Sequence, residues 1–240
     1  MSMANSAILL AGGSGKRMRG TVKDKVLALL QGLPVILHSF KAFEESCEVG
    51  EVVFVCRDDT QIKQIKRELK KNFAKTALSV KFTYGGAERQ DSVLNGLKEV
   101  SDKSGLAFIH DGARPMITVQ NIKELSQAAK KDGASVLASR VSDTIKRVAK
   151  GKKSLSKCRL ADLERNRLWA MQTPQVFVCE KIKKAYEFIK KNKIAITDDV
   201  AAFTVSGGKV TIVENLSANV KITVPEDIAF IEFLKTKGTK

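Results

Sequence analysis

A short apolar run, Ser6 to Leu10, passes directly into Ala11-Gly12-Gly13-Ser14-Gly15-Lys16-Arg17-Met18, with Lys23 and Lys25 a few residues on. Glycines let backbone N–H groups approach an anion closely, and the carboxyl end of the first strand is where open α/β sheets bind ligands. The guest this loop fits is a phosphate. Two familiar motifs fail on spacing. A P-loop needs Gly at position 10 and Ser or Thr at 17, where the chain has Leu10 and Arg17; a dinucleotide fingerprint needs a third Gly at 18, where it has Met18. What remains is a phosphate cradle followed by cations, with a ligand-free strand-to-helix turn as the plain alternative. Further along, Gly85, Gly86, Arg89 and Ser92 lie between a strand and a helix, where backbone groups and a hydroxyl can read a base edge. Asp111 ends the strand LAFIH within His110-Asp111-Gly112-Ala113-Arg114-Pro115; a lone Asp in a loop is otherwise a turn residue or cap.

These groups need elements to hold them. Apolar, β-rich runs recur at 6–10, 51–56, 79–84, 106–110, 134–138 and approximately 209–213, several of them continuously apolar as strands buried on both faces must be. Between them lie apolar residues three and four apart: Ile36, Phe40 and Phe43; Ile62, Ile65, Leu69 and Phe73; Ile122, Leu125 and Ala129; Ile182, Tyr186 and Ile189. Each set predicts an amphipathic helix with a lysine-rich outer face. Strand alternating with helix predicts an α/β, Rossmann-like fold, a mostly parallel sheet covered by helices on both faces through right-handed crossovers. From Arg140 to Arg167 the pattern breaks: ten Lys or Arg, three acids, and a glycine-lysine turn at Lys150 to Lys153 read as a protruding β-arm or a solvated basic loop. The alternation then resumes, so residues 1–240 are expected to form one domain with the arm inserted at about 140–167.

Composition narrows the class. With 240 residues, 43% hydrophobic and only 4 Pro and 16 Gly, the chain is an ordinary globular sequence rather than a disordered or collagenous one. A net charge of +16 would attract nucleic acid, an anionic membrane or phosphorylated small molecules. Cys47, Cys56, Cys158 and Cys179 form no CxxC pair, so they read as buried small hydrophobes in a reducing cytoplasm. No run of about 18 apolar residues is present, and the run from Ala7 to Ala11 is too short for a signal-peptide core, so neither export nor membrane insertion is expected.

The opening AGGSGKRM, followed by a lysine before VLALLQGLPVILHS, resembles the nucleotidyltransferases that build sugar and polyol nucleotides. GGAERQDSVLNGL (85–97), HDGARP (110–115), DTIK (143–146), QTPQVF (172–177), TDD (197–199) and NVKITVPED (219–227) follow in order. The set resembles the 2-C-methyl-D-erythritol 4-phosphate cytidylyltransferase family, over residue 7 to about 233. That likeness implies Arg17, Lys25 and Lys221 as catalytic cations on the triphosphate, with Ala11 and the backbone of Gly12, Gly13, Ser14 and Gly15 around its β- and γ-phosphates. It assigns Gly85, Gly86, Arg89 and Ser92 to cytosine. Ala87 stands where some relatives carry Asp, leaving base selection to main chain. Asp111, beside the nucleotide, would hold Mg²⁺ or hydrogen-bond the polyol hydroxyls. Arg114, Thr144, Arg165, Thr173 and Thr197 would surround the polyol phosphate, with Arg165 reaching across a homodimer from the arm. The lysine's predecessor departs from the pattern: many relatives have Pro there, whereas this chain reads Lys23-Asp24-Lys25, and either lysine could do the work.

The implied reaction is attack of the acceptor's phosphate oxygen on the α-phosphorus of CTP. A phosphate monoester, with a second pKa of about 6, needs no general base, which suits a chain with two histidines. The same chemistry on ribitol 5-phosphate is the near alternative. A nucleic-acid-binding protein is the alternative of another class, opposed by an aromatic content of 6% and by lysines spread over helix faces.

Overall fold

The structure is a computed structural model that describes residues 5–13, 24–101, 103–149 and 156–237. Its strands are β1 (Ser6–Leu10), β2 (Leu29–Leu30), β3 (Leu33–Pro34), β4 (Glu51–Cys56), β5 (Ser79–Tyr84), β6 (Leu106–Asp111), β7 (Ala134–Arg140), β8 (Lys146–Val148), β9 (Leu160–Asp162), β10 (Trp169–Val178) and β11 (Thr211–Glu214). The helices are α1 (Val35–Ser46), α2 (Asp59–Asn72), α3 (Arg89–Glu99), α4 (Val119–Asp132), α5 (Cys179–Lys191), α6 (Asp199–Val205) and α7 (Glu226–Thr236). Seven strands form one sheet in the order β11-β7-β10-β6-β1-β4-β5. Every pairing in it is parallel except those of β10, which runs antiparallel to both β6 and β7.

The expected α/β architecture is therefore present, and the pleat explains its two-sided core. Residues on alternating sides of a strand face opposite layers. Leu9, Phe54 and Phe108 pack with α1, α2 and α4 on one face. Ile8, Val53, Val55 and Ile109 pack with α3, α5 and α6 on the other. All six residues of β4 are buried, as a continuously apolar central strand requires. The helices turn their cations outward: Lys63, Lys66, Arg67, Lys70 and Lys71 of α2 are all exposed, so much of the surplus positive charge is a solvated face.

Three differences from the sequence reading have physical causes. β10 lies where no strand was expected, because Pro174 interrupts WAMQTPQVFV. The chain accommodates the missing donor at a register shift between Met171 and Gln175, the kind of irregularity to which sheet prolines are confined. β11 begins two residues later than the apolar run at 209. And only Cys56 and Cys179 are buried, whereas Cys47 is exposed and Cys158 half-buried. The basic insertion forms an exposed antiparallel hairpin of β8 and β9 as a β-arm; its expected Lys150 to Lys153 turn lies outside the described residues. Trp169 sits at the root of this arm with the Arg140 guanidinium 4.7 Å from its ring centre.

Candidate active site

The parallel register aligns the carboxyl ends of three strands. Leu10 pairs with Val55 on one side and Asp111 on the other, so the glycine loop, the residues after β4 and the end of β6 meet at one edge. There they enclose a cavity of about 650 Å³ whose wall includes Gly13, Lys25, Arg57, Arg89, Asp111 and Lys221.

Asp111 is the hub of the charge. Its Oδ2 accepts from Lys221 Nζ at 2.6 Å, its Oδ1 lies 3.4 Å from Arg89 Nε, and Arg114 Nε is 3.9 Å from Oδ2. Burial opposes ionisation of this carboxyl, but Arg89 and Lys221 outweigh it and hold it well below the usual carboxylate range. From beneath, Thr173 Oγ1 accepts the Asp111 N–H at 3.0 Å and lies 3.1 Å from His110 Nδ1. His110 is fully buried, and that burial depresses its pKa to about 4, so the imidazole is neutral and structural. Arg114 Nη1 donates to Asn219 O at 2.7 Å, tying the segment that carries Lys221 to the strand that carries Asp111.

Arg89 divides its guanidinium. Besides its approach to Asp111, Nη1 and Nη2 donate to the two oxygens of buried Asp199 at 2.9 and 2.8 Å, and Tyr186 donates to the same carboxylate at 2.5 Å. The two parallel donations to Asp199 are the planar, bidentate geometry that a guanidinium favours with a carboxylate. Around the turn before α3, Ser92 Oγ accepts the Gly86 N–H at 3.0 Å and donates to Glu88 O at 3.2 Å. Lys25 Nζ donates to Ile222 O at 3.1 Å, which brings it to the residue following Lys221.

Of the residues singled out from sequence, Ala11, Gly12, Gly13, Lys25, Gly86, Arg89, Ser92, Asp111 and Lys221 all line this cavity. Gly85, Arg114 and Thr173 stand behind its wall. Ser14, Gly15, Arg17 and Lys23 lie outside the described residues. Thr144 and Arg165 are exposed on the arm, where Arg165 Nη1 donates to Ser142 O at 2.9 Å, and Thr197 is exposed ahead of α6; none lines the cavity. The sequence reading passed over Arg57, although it follows β4 at the same sheet edge and so carried the same positional signal. It also passed over Asp199, which sits inside the quoted TDD string.

Among the described residues no group of three or more His, Cys, Asp or Glu could hold a metal ion. Among the described residues Asp111 and Glu88 are the carboxylates that line the cavity, which suits Mg²⁺, a cation held through one or two carboxylates together with waters and substrate phosphates.

A cation-lined, glycine-edged cavity at the carboxyl end of a mostly parallel sheet defines a nucleotide-handling transferase of the nucleotidyltransferase class. The family model for 2-C-methyl-D-erythritol 4-phosphate cytidylyltransferase matches residues 6–237. The chain belongs to that family. It is 38% identical over 229 residues to the chloroplastic 2-C-methyl-D-erythritol 4-phosphate cytidylyltransferase of Oryza sativa, covering 95% of this chain and 73% of the relative. To the enzyme of that name from Bacillus velezensis it is 37% identical, covering 94% and 93%. Among solved structures, the 4-diphosphocytidyl-2C-methyl-D-erythritol synthase of Anaerococcus prevotii superposes with a TM-score of 0.83 at 26% identity, over 98% of this chain and 100% of that one.

Proposed function

We propose that the chain joins CTP to 2-C-methyl-D-erythritol 4-phosphate, giving the cytidine diphosphate derivative and pyrophosphate in isoprenoid precursor synthesis, through a single nucleotidyltransferase domain bearing the arm. The observation that carries this reading is the pairing of Lys221 with Asp111 at 2.6 Å inside the cavity that Gly13 and Lys25 also line. Two polyanions must meet there, so the barrier is one of charge. Lys25 and Lys221 neutralise the α-phosphoryl group as the acceptor oxygen approaches and pyrophosphate leaves, a contribution that preorganised cations make in a water-poor cleft. Arg17 completes the set from the glycine loop. Neither histidine takes part: His110 is sealed and His38 bonds to Leu30 O at 2.9 Å.

Gly85, Gly86 and Ser92 form the turn that reads cytosine, with Arg89 stiffening its helix from below. Asp111 would hold Mg²⁺, which would supply positive charge to neutralise the triphosphate. Thr144 and Arg165 lie on the arm away from the chain's own cavity, and Ile145 and Leu160 of the arm are 38% and 53% exposed. Those features support a homodimer whose arms reach into each other's sites. Cys47, Cys56, Cys158 and Cys179 form no CxxC pair, which supports a reducing cytoplasmic setting.

The test is direct. Purified protein with Mg²⁺, CTP and methylerythritol phosphate is expected to release pyrophosphate, and to release far less with ribitol 5-phosphate as acceptor. No release with either would remove the reading.

A further inference from the structure

Lys25 is held by a device that the reaction itself does not use. Asp24, immediately before it, has a side chain only 10% exposed. Its carbonyl accepts from Leu27 N at 3.2 Å and Ala28 N at 3.0 Å, and its Oδ1 accepts from Val26 N at 3.1 Å. An Asp bonding its own backbone two residues on fixes a turn locally. Its Oδ2 faces inward, accepting from Gln61 Nε2 at 2.6 Å and lying 3.3 Å from Arg57 Nη2. Gln61 is completely buried. The same amide accepts from Arg57 N at 2.7 Å and donates to Ala11 O at 3.3 Å. One buried side chain thus joins the end of β4, the start of the glycine loop and the turn that carries Lys25.

We propose that Asp24, locked by Gln61, is a positioning residue that aims Lys25 at the phosphate site. This rests on the reading of Lys25 as a triphosphate ligand. A surface lysine has no use for a buried polar anchor, whereas a cation that must meet a developing charge within a fraction of an ångström does: misplacement by about 1 Å costs on the order of 10²-fold in rate. A buried Gln with both ends bonded to backbone, and with a carboxylate as third partner, also resists replacement, because truncation leaves Arg57 N without its acceptor and Ala11 O with Gly13 N alone.

The experiment is a double-mutant cycle on the full chain, with kcat and the KM for CTP read from pyrophosphate release and folding checked by thermal melting. Asp24→Ala is expected to lower kcat about 10- to 100-fold with little change in KM. Asp24→Asn keeps the shape and the acceptor for Val26 N but turns an amide toward Gln61, and is expected to lose less. The double variant Asp24→Ala/Lys25→Ala should be no slower than Lys25→Ala alone, since a residue that acts only through Lys25 has nothing left to position. Losses that add, or an Asp24→Ala enzyme as fast as the parent beside a crippled Lys25→Ala, would overturn the proposal while leaving the role of Lys25 intact. A Lys25→Ala enzyme of native rate would remove both. Should Asp24→Ala fail to fold, the same cycle with Asp24→Asn decides by the same non-additivity.

Discussion

Lys25 is where chemistry and numbering meet, because the chain offers two lysines on either side of Asp24. Lys25 reaches the cavity and Ile222 O. Lys25→Ala is therefore expected to lower kcat by about 10² to 10³, the usual loss for one preorganised charge contact to a transition state, while the melting temperature holds. Lys23→Ala is expected to be mild; steady-state pyrophosphate release on both variants checks the pair, and the reverse order would shift the loop by two residues. His110 gives a second expectation, this one about stability. Its pKa is about 4 in the folded chain against an ordinary 6.5. Between those values the unfolded chain binds a proton that the folded chain refuses, so stability rises with pH through that window and is indifferent to this group above it, by up to about 3 kcal/mol. Asp111 acts lower: its carboxyl stays ionised in the folded chain, so its contribution fades only as pH falls below the ordinary carboxylate value. The gap between urea midpoints at pH 5 and pH 7 should therefore be narrower in a His110→Gln variant than in the parent. His38, also depressed, acts in the same window and is common to both proteins.

At the scale of elements, the turn before α3 tests how the base site is built. A Cβ on Gly86 would fall 2.2 Å from Asp91 Cβ, and Asp91 closes the capping box of α3 by accepting from Glu88 N. Gly86→Ala must displace one or the other, and is expected to raise the KM for CTP about tenfold with a smaller effect on kcat, as loss of ground-state binding does. Gly112 is a similar case: a Cβ there would sit 2.9 Å from Leu10 O and 2.8 Å from Ile36 Cδ1, so an alanine has no room against this backbone. Much of this level was legible beforehand. The buried parallel strands are unbroken apolar runs, and α1, α2, α4 and α5 follow their apolar spacing closely. β10 was not legible, since Pro174 breaks its run and only a partner strand reveals the bulge. Asp24, Gln61 and Asp199 were not legible either: each is a polar residue whose meaning lies in a partner more than 30 positions away, which local pattern does not carry.

For the whole molecule, the arm makes a claim that one chain cannot satisfy. Arg165 does not line its own cavity, so if the proposed homodimer forms through the arms, Arg165→Ala and Lys25→Ala should each inactivate it. Mixed under exchange, they should recover about a quarter of native activity, because half the dimers are hybrid and one of two symmetric sites in each is intact. No recovery from two inactive variants would contradict an arm that serves the partner's site, and an Arg165→Ala enzyme of native rate would place Arg165 outside the site. The central claim concerns the cation cluster itself, and a crystal grown with CTP and Mg²⁺ examines it most directly. The expected density puts the triphosphate between the Gly13 backbone and the ammonium groups of Lys25 and Lys221, with the base against Gly85 and Gly86. Nucleotide bound elsewhere, or absent from this edge at saturating CTP, would contradict it.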